Sequence, residues 1–175
     1  MDSISRRLVL ALPAAALSGQ LQGAQLPRPA APLKFKWPDG TEGDLKKYAG
    51  KVIAVEFLLT YCQACHRAGR VLDSYYREFK NQGFQAIGMA TNDNAAKDIG
   101  NFLNASGATF PVGILSRDKA QEFLQHAMAS IFYLPQTAII DKKSMVRYQH
   151  GGQLKPPPDD DAKMRAEIAE LLKAK

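Results

Sequence analysis

The run from Val52 to Leu59 is apolar at every position except Glu56, and Cys62-Gln63-Ala64-Cys65 follows it almost at once. A continuous apolar run of this length, bounded by turn residues, suits a strand buried on both faces. From Cys65 onward Ala68, Val71, Leu72, Tyr75 and Phe79 recur at helical spacing until Asn81-Gln82-Gly83, which places one apolar stripe against that strand and then stops the helix. The two cysteines, the only ones in 175 residues, therefore fall where a buried strand turns into a helix.

The flanking sequence repeats this alternation. Leu33 to Trp37 is a short strand candidate closed by Pro38-Asp39-Gly40, and Asp44 caps a brief helix over Leu45 to Tyr48. A strand follows at Phe84 to Thr91, and Asp93 or Asn94 opens a helix with Ile99, Phe102 and Leu103 on one side and Ser106-Gly107 at its end. Phe110 to Leu115 is the next strand, and Asp118 opens a helix that turns Phe123, Leu124, Ala127 and Met128 inward. Gln136 to Ile140 and Met145 to His150 form a hairpin around Asp141 to Ser144. Beyond the polar linker and cap at Pro156 to Asp161, Met164, Ile168, Leu171 and Leu172 mark a terminal amphipathic helix. Strands joined by crossover helices and then a hairpin predict an α/β domain with a mixed central sheet.

The junction has chemical consequences. Unpaired backbone N–H groups and the positive end of the helix dipole favour a thiolate on Cys62. Cys65, one turn further on, is placed to attack a mixed disulfide on Cys62 and release the reduced substrate. An inert structural disulfide is the other reading, but closing so short a loop constrains the unfolded chain little. Glu56 stands within the apolar run, where an ionised carboxylate is costly, so its pKa is expected to be raised.

With Leu134-Pro135-Gln136-Thr137 leading into the strand that ends at Asp141, and with Thr109-Phe110-Pro111-Val112 between crossovers, residues 33–172 resemble the thioredoxin-fold, TlpA-like (AhpC/TSA-related) extracytoplasmic thiol-disulfide oxidoreductases. The resemblance implies a thioredoxin-like sheet flanked by helices, with an N-terminal strand extension and an inserted αβ element. It implies that Pro135 is cis and faces the cysteine pair, and that Leu134 presents backbone to a docked polypeptide. It gives Glu56, six residues before Cys62, the place of the buried acid that relays a proton for the second cysteine. Where the family usually carries tryptophan before the first cysteine this chain has Tyr61, which keeps an aromatic docking platform, and Gln63-Ala64 replaces a frequent proline between the cysteines. The implied partners are protein thiols and disulfides, with a membrane thiol carrier as electron donor. The implied role is that of a reductase, with cytochrome c maturation or the rescue of oxidised proteins as its setting, and no bound cofactor or metal is called for.

Other readings use the same residues. Cys62-Gln63-Ala64-Cys65-His66 is a c-type haem attachment string, with His66 and Met89, Met128 or Met145 as axial ligands. A peroxiredoxin would need a threonine three residues before its cysteine, whereas Thr60 stands two before Cys62, and no proline lies between Gly50 and Cys62. A copper carrier would recruit His126 or His150 to the two cysteines.

The first residues read as an address. Arg6-Arg7, an apolar run from Leu8 to Leu17 and small residues to Ala24 follow the order of a secretory signal over residues 1–24. The run is too short for a bilayer-spanning helix, which takes about 20 residues; an uncleaved anchor is the alternative, and membrane association rests on this segment alone. Gln25 to Pro32, with three prolines, reads as an extended leader, so ordered structure is expected from about Leu33 as one thioredoxin-like domain over residues 33–175. Export into the periplasm follows from that reading. The net charge of +6 is spread along the chain without a long basic run, so nucleic acid is not an expected partner.

Overall fold

The computed structural model describes residues 24–127, 130–152 and 160–174. Among these, the strands are β1 (Arg28–Pro29), β2 (Lys34–Lys36), β3 (Glu42–Asp44), β4 (Val52–Leu58), β5 (Phe84–Ala90), β6 (Val112–Ile114), β7 (Gln136–Ile140) and β8 (Met145–Gly151). The helices are α1 (Gln63–Phe79), α2 (Ala95–Ser106), α3 (Arg117–Leu124) and α4 (Asp160–Lys173). All strands join one sheet in the order β1-β8-β7-β4-β5-β6-β2-β3. β4 is parallel to β5, and β5 to β6, because helices carry those crossovers; β7 lies antiparallel to β4, and the hairpin partner β8 antiparallel to β7.

Every residue of β4 is buried, as expected of a central strand covered on both faces. Strand alternation divides its side chains. Val52, Ala54 and Leu58 pack with α1, α2 and α4 through Cys65, Leu72, Phe102, Met164 and Ile168. Ile53, Val55 and Phe57 pack on the opposite face with Phe123 and Leu124 of α3. By the same alternation Glu56 faces α1.

The structure revises several boundaries. Order begins before Leu33: Arg28 pairs with Val146 across the β1–β8 ladder, and its guanidinium donates to the Phe123 carbonyl at 2.6 Å. Part of the proline-rich leader is thus an edge strand, a position that tolerates proline. β3 was not expected from the sequence, since Glu42-Gly43-Asp44 has no β-branched or aromatic residue; it forms because Gly43 leaves room for the Phe35 ring from β2. α3 is capped by Ser116, whose side chain accepts from the Lys119 amide, and Asp118 lies in its first turn instead. That helix ends at Leu124 with Gln125 in the left-handed region, so Ala127 lies beyond it. Asn94 precedes α2 without a side-chain capping bond. The strand expected over Phe110 to Leu115 shortens to β6. The 1–23 part of the address segment, Met128 and linker residues 153–159 lie outside the described residues.

Candidate active site

Cys62 is the N-cap of α1, with extended backbone, and its side chain is partly exposed. The sequence has no Ser, Thr, Asp or Asn at this position to cap the helix, so a sulfur stands at the dipole's positive end. Cys65 is fully buried beneath it. Both thiols are free. Burial pushes the Cys65 thiol well above its ordinary range, and the neighbouring Cys62 and Glu56 push the same way. The Leu59 N–H, 3.4 Å from the Cys65 Sγ, acts in the opposite direction by donating to the sulfur.

Glu56 is 0% exposed, and neither carboxyl oxygen has a partner. Burial pushes its pKa up to about 8, so the neutral acid prevails at pH 7. The Leu134–Pro135 peptide is cis. Its loop is tied down by the Gly152 N–H donating to the Pro135 carbonyl at 3.1 Å and by the Gln136 side chain donating to the Tyr133 carbonyl at 2.9 Å. Gly151 has a positive φ, and a Cβ there would sit 2.4 Å from the Pro135 oxygen, so the close approach of β8 to this loop requires glycine. Leu134 is half-buried and packs on both core clusters, whereas Tyr61 is 69% exposed beside Cys62.

A polar clamp around Thr60 escaped the sequence reading. Thr60 N–H donates to Asn92 Oδ1, and Asn92 Nδ2 donates to the Thr60 hydroxyl, both at 3.0 Å. His66 Nε2 donates to the Thr60 carbonyl at 2.7 Å, and Thr91 donates to the Leu58 carbonyl. These bonds fix the loop that aims the Leu59 N–H at Cys65 and carries Tyr61 and Cys62. The available signal was the position of Thr91-Asn92 just past the carboxyl end of a buried parallel strand, where such sheets place their sites.

The histidines serve packing and loop geometry. A c-type haem needs both sulfurs accessible, but Cys65 is enclosed, and His66 Nε2 is engaged with Thr60. His150 faces Asp160 through Nδ1 at 2.8 Å and Glu167 through Nε2 at 2.5 Å, while His126 packs on the Phe132 ring. Among the described residues no group of three or more His, Cys, Asp and Glu side chains is arranged to hold a metal ion. No described helix is long and apolar enough to cross a membrane.

Residues 23–168 match the Redoxin family. The thiol-disulfide oxidoreductase ResA of Bacillus anthracis is 28% identical over 115 residues, which are 66% of this chain and 63% of that protein. The thiol:disulfide interchange protein DsbE of Escherichia coli (strain K12) is 25% identical over 107 residues, 61% of this chain and 53% of that protein. The chain thus spans about half to two thirds of the length of these curated relatives. Among solved structures, a thiol:disulfide interchange protein of the thioredoxin family from Chlorobium tepidum TLS superposes with TM-score 0.67 at 20% identity, covering 85% of this chain and 99% of that one. A thiol:disulfide interchange protein from Bacteroides sp. gives TM-score 0.66 at 18% identity, covering 85% and 90%. The fold is therefore thioredoxin-like, with Cys62 and Cys65 at the junction between its central strand and the helix that follows.

Proposed function

Because this chain belongs to the Redoxin family, we propose that it is a thiol-disulfide oxidoreductase that exchanges the Cys62/Cys65 pair with disulfides of other proteins. The observation that carries this reading is the asymmetry of the pair: Cys62 is partly exposed at the α1 N-terminus, and Cys65 is enclosed one turn further on with an amide N–H at its sulfur. As a thiolate, Cys62 attacks a substrate disulfide and forms a mixed disulfide while the first substrate sulfur leaves. Cys65 then gives its proton to the ionised fraction of Glu56 and attacks the Cys62 sulfur. The bond to substrate breaks, the second substrate sulfur leaves as a thiolate with the electron pair, and Cys62–Cys65 is oxidised. Glu56, with a pKa near working pH, suits that transfer. Tyr61, Leu134 and the cis Pro135 form the docking surface.

In the direction we propose, the protein is a reductase recharged by a membrane thiol carrier in the periplasm, with cytochrome c maturation as one setting. Support for export comes from the signal-like order of residues 1–24, and support for thiol-disulfide exchange from the names of the relatives above. Redox titration against glutathione and dithiothreitol buffers, read by thiol trapping and mass, tests the proposal. A reversible two-electron couple with a strongly reducing midpoint is expected. A strongly oxidising midpoint reverses the direction, and thiols that never form a reversible disulfide reject the activity.

A further inference from the structure

Glu56 has to exchange its proton with solvent between turnovers, yet it is sealed in the sheet with both oxygens unpartnered. Its neighbours on the same face decide where that proton can go. Along β4 these are Ala54 and Leu58, both fully buried apolar side chains. Across the parallel ladder Glu56 stands opposite Gly88, which has no side chain, and Val112 follows in the next strand. Across the antiparallel ladder it stands opposite Thr137, and His150 follows opposite Thr137 in β8. Thr137 is thus the register neighbour of Glu56 that carries a hydrogen-bonding side chain. Residues directly opposite on one face have Cβ atoms about 4.5–5.5 Å apart, within reach of a carboxyl and a hydroxyl.

The second observation is where Thr137 leads. It lines a cavity of about 240 Å³ with Ala64, Ala68, Pro135, His150 and Met164, next to the redox pair and the cis-proline loop. The acidic and basic side chains around this cavity are mutually paired, Arg67 with Asp161 at 3.1 Å and His150 with Asp160 and Glu167, and Tyr133 lines it as well. These pairs hold α4 against α1 and β8 and set a few polar groups into an otherwise mainly apolar wall, where water can be held next to Thr137.

We propose that Thr137 is the proton exit of the redox site, its hydroxyl passing the proton that Glu56 takes from Cys65 to solvent in the cavity beside Pro135 and His150. A hydroxyl both donates and accepts, so it receives the Glu56 proton as it releases its own. Glu56 returns to the carboxylate and one proton leaves for each Cys65 thiol consumed. This is a positioning role exercised through Glu56, and it rests on the proton-relay reading of that residue.

The test follows the resolving step in the full chain, using glutathione disulfide to form the mixed disulfide on Cys62 and reading glutathione release between pH 5.5 and 9. Glu56→Gln is expected to slow release about tenfold near pH 8, the Brønsted range of a well-matched base being larger still. Thr137→Val, which replaces the hydroxyl by a methyl at nearly constant shape, is expected to slow it by a similar factor with the reduction potential unchanged. Thr137→Ser is expected to restore the rate, and Glu56→Gln/Thr137→Val to be no slower than Glu56→Gln alone. Thr137→Ala gives the same reading if valine disturbs the sheet. Wild-type rates in Thr137→Val beside a slow Glu56→Gln overturn the exit and leave the relay standing. A fast Glu56→Gln overturns the relay and the exit together. A Thr137→Ser as slow as valine, or additive loss in the double variant, assigns Thr137 a packing role and overturns the proposal.

Discussion

Glu56 and Glu167 are enclosed on the same side of the sheet, one at the centre of β4 and one on α4. Glu167 meets His150 Nε2 at 2.5 Å, and the other nitrogen of that ring faces Asp160. Asp73, a third buried carboxylate, accepts from the Thr109 amide and hydroxyl and pairs with Arg77. Glu56 has none of this. A buried polar group without a partner lowers stability, and the fold supplies partners to two carboxylates that fasten its elements together while leaving the one beneath Cys65 without. The contrast separates carboxylates that hold structure from one that is left unpartnered and, in the function proposed above, takes part in proton transfer.

The strongest way to break this comparison is pH. Glu56 is protonated in the fold up to about pH 8, whereas an ordinary carboxyl, as in the unfolded chain, ionises near 4.5. Its contribution to stability is therefore fully present below about pH 4.5, is lost as pH rises through 8 and stays lost above it. At 1.36 kcal/mol per pKa unit the loss amounts to as much as about 5 kcal/mol. Glu56→Gln should abolish that dependence and, in urea unfolding at pH 9, be more stable than wild type by several kcal/mol, with a much smaller difference at pH 4.5. Equal pH profiles would place Glu56 among the paired carboxylates.

Glu167→Ala should do the reverse, costing about 3–4 kcal/mol at pH 7, because it leaves His150 enclosed beside an unfilled site. Hydrogen exchange should show the loss of protection concentrated in α4 and β8. A cost below about 1 kcal/mol would mean that the pair is not what docks α4. Asn92→Ala removes two bonds to Thr60 and should cost about 1–2 kcal/mol. It should also slow Cys65 attack severalfold by loosening the loop that holds the Leu59 N–H, whereas Thr60→Ser keeps both. Unaltered resolution kinetics in Asn92→Ala would detach the clamp from the chemistry. The smallest stability effect is expected at Tyr61→Ala, within about 0.5 kcal/mol for an exposed side chain. That variant should instead raise KM for a protein disulfide substrate by about threefold to tenfold, as the loss of an aromatic contact surface does.

Much of the scaffold was legible because its signals are local. The buried run of β4 and the apolar spacing of α1 are read from neighbouring residues, and the hairpin of β7 and β8 has its turn between its strands. β3 and the cap of α3 were not legible in the same way: Glu42-Gly43-Asp44 becomes a strand because Phe35 needs the space over Gly43, and Ser116 outcompetes Asp118 for the helix start. The early ordering of Arg28 depends on a carbonyl 95 residues away. At the site, the types and spacing of Cys62 and Cys65 and the polar residue inside an apolar run drew attention to three side chains. The Thr60–Asn92 clamp did not stand out, since an asparagine in a Thr-Asn-Asp-Asn loop has the composition of any turn.

From the sequence alone it followed that the cysteine pair starts a helix after a buried strand and that Glu56 is costly where it stands, since periodicity and the desolvation of a carboxylate are properties of short stretches of chain. Which carboxylates obtained partners, and which hydroxyl came to lie beside the one that did not, was decided only by the tertiary structure. Glu56, Thr137 and His150 are made neighbours by ladder register between β4, β7 and β8. Register is set by the packing of whole sheet faces, and no single segment contains it.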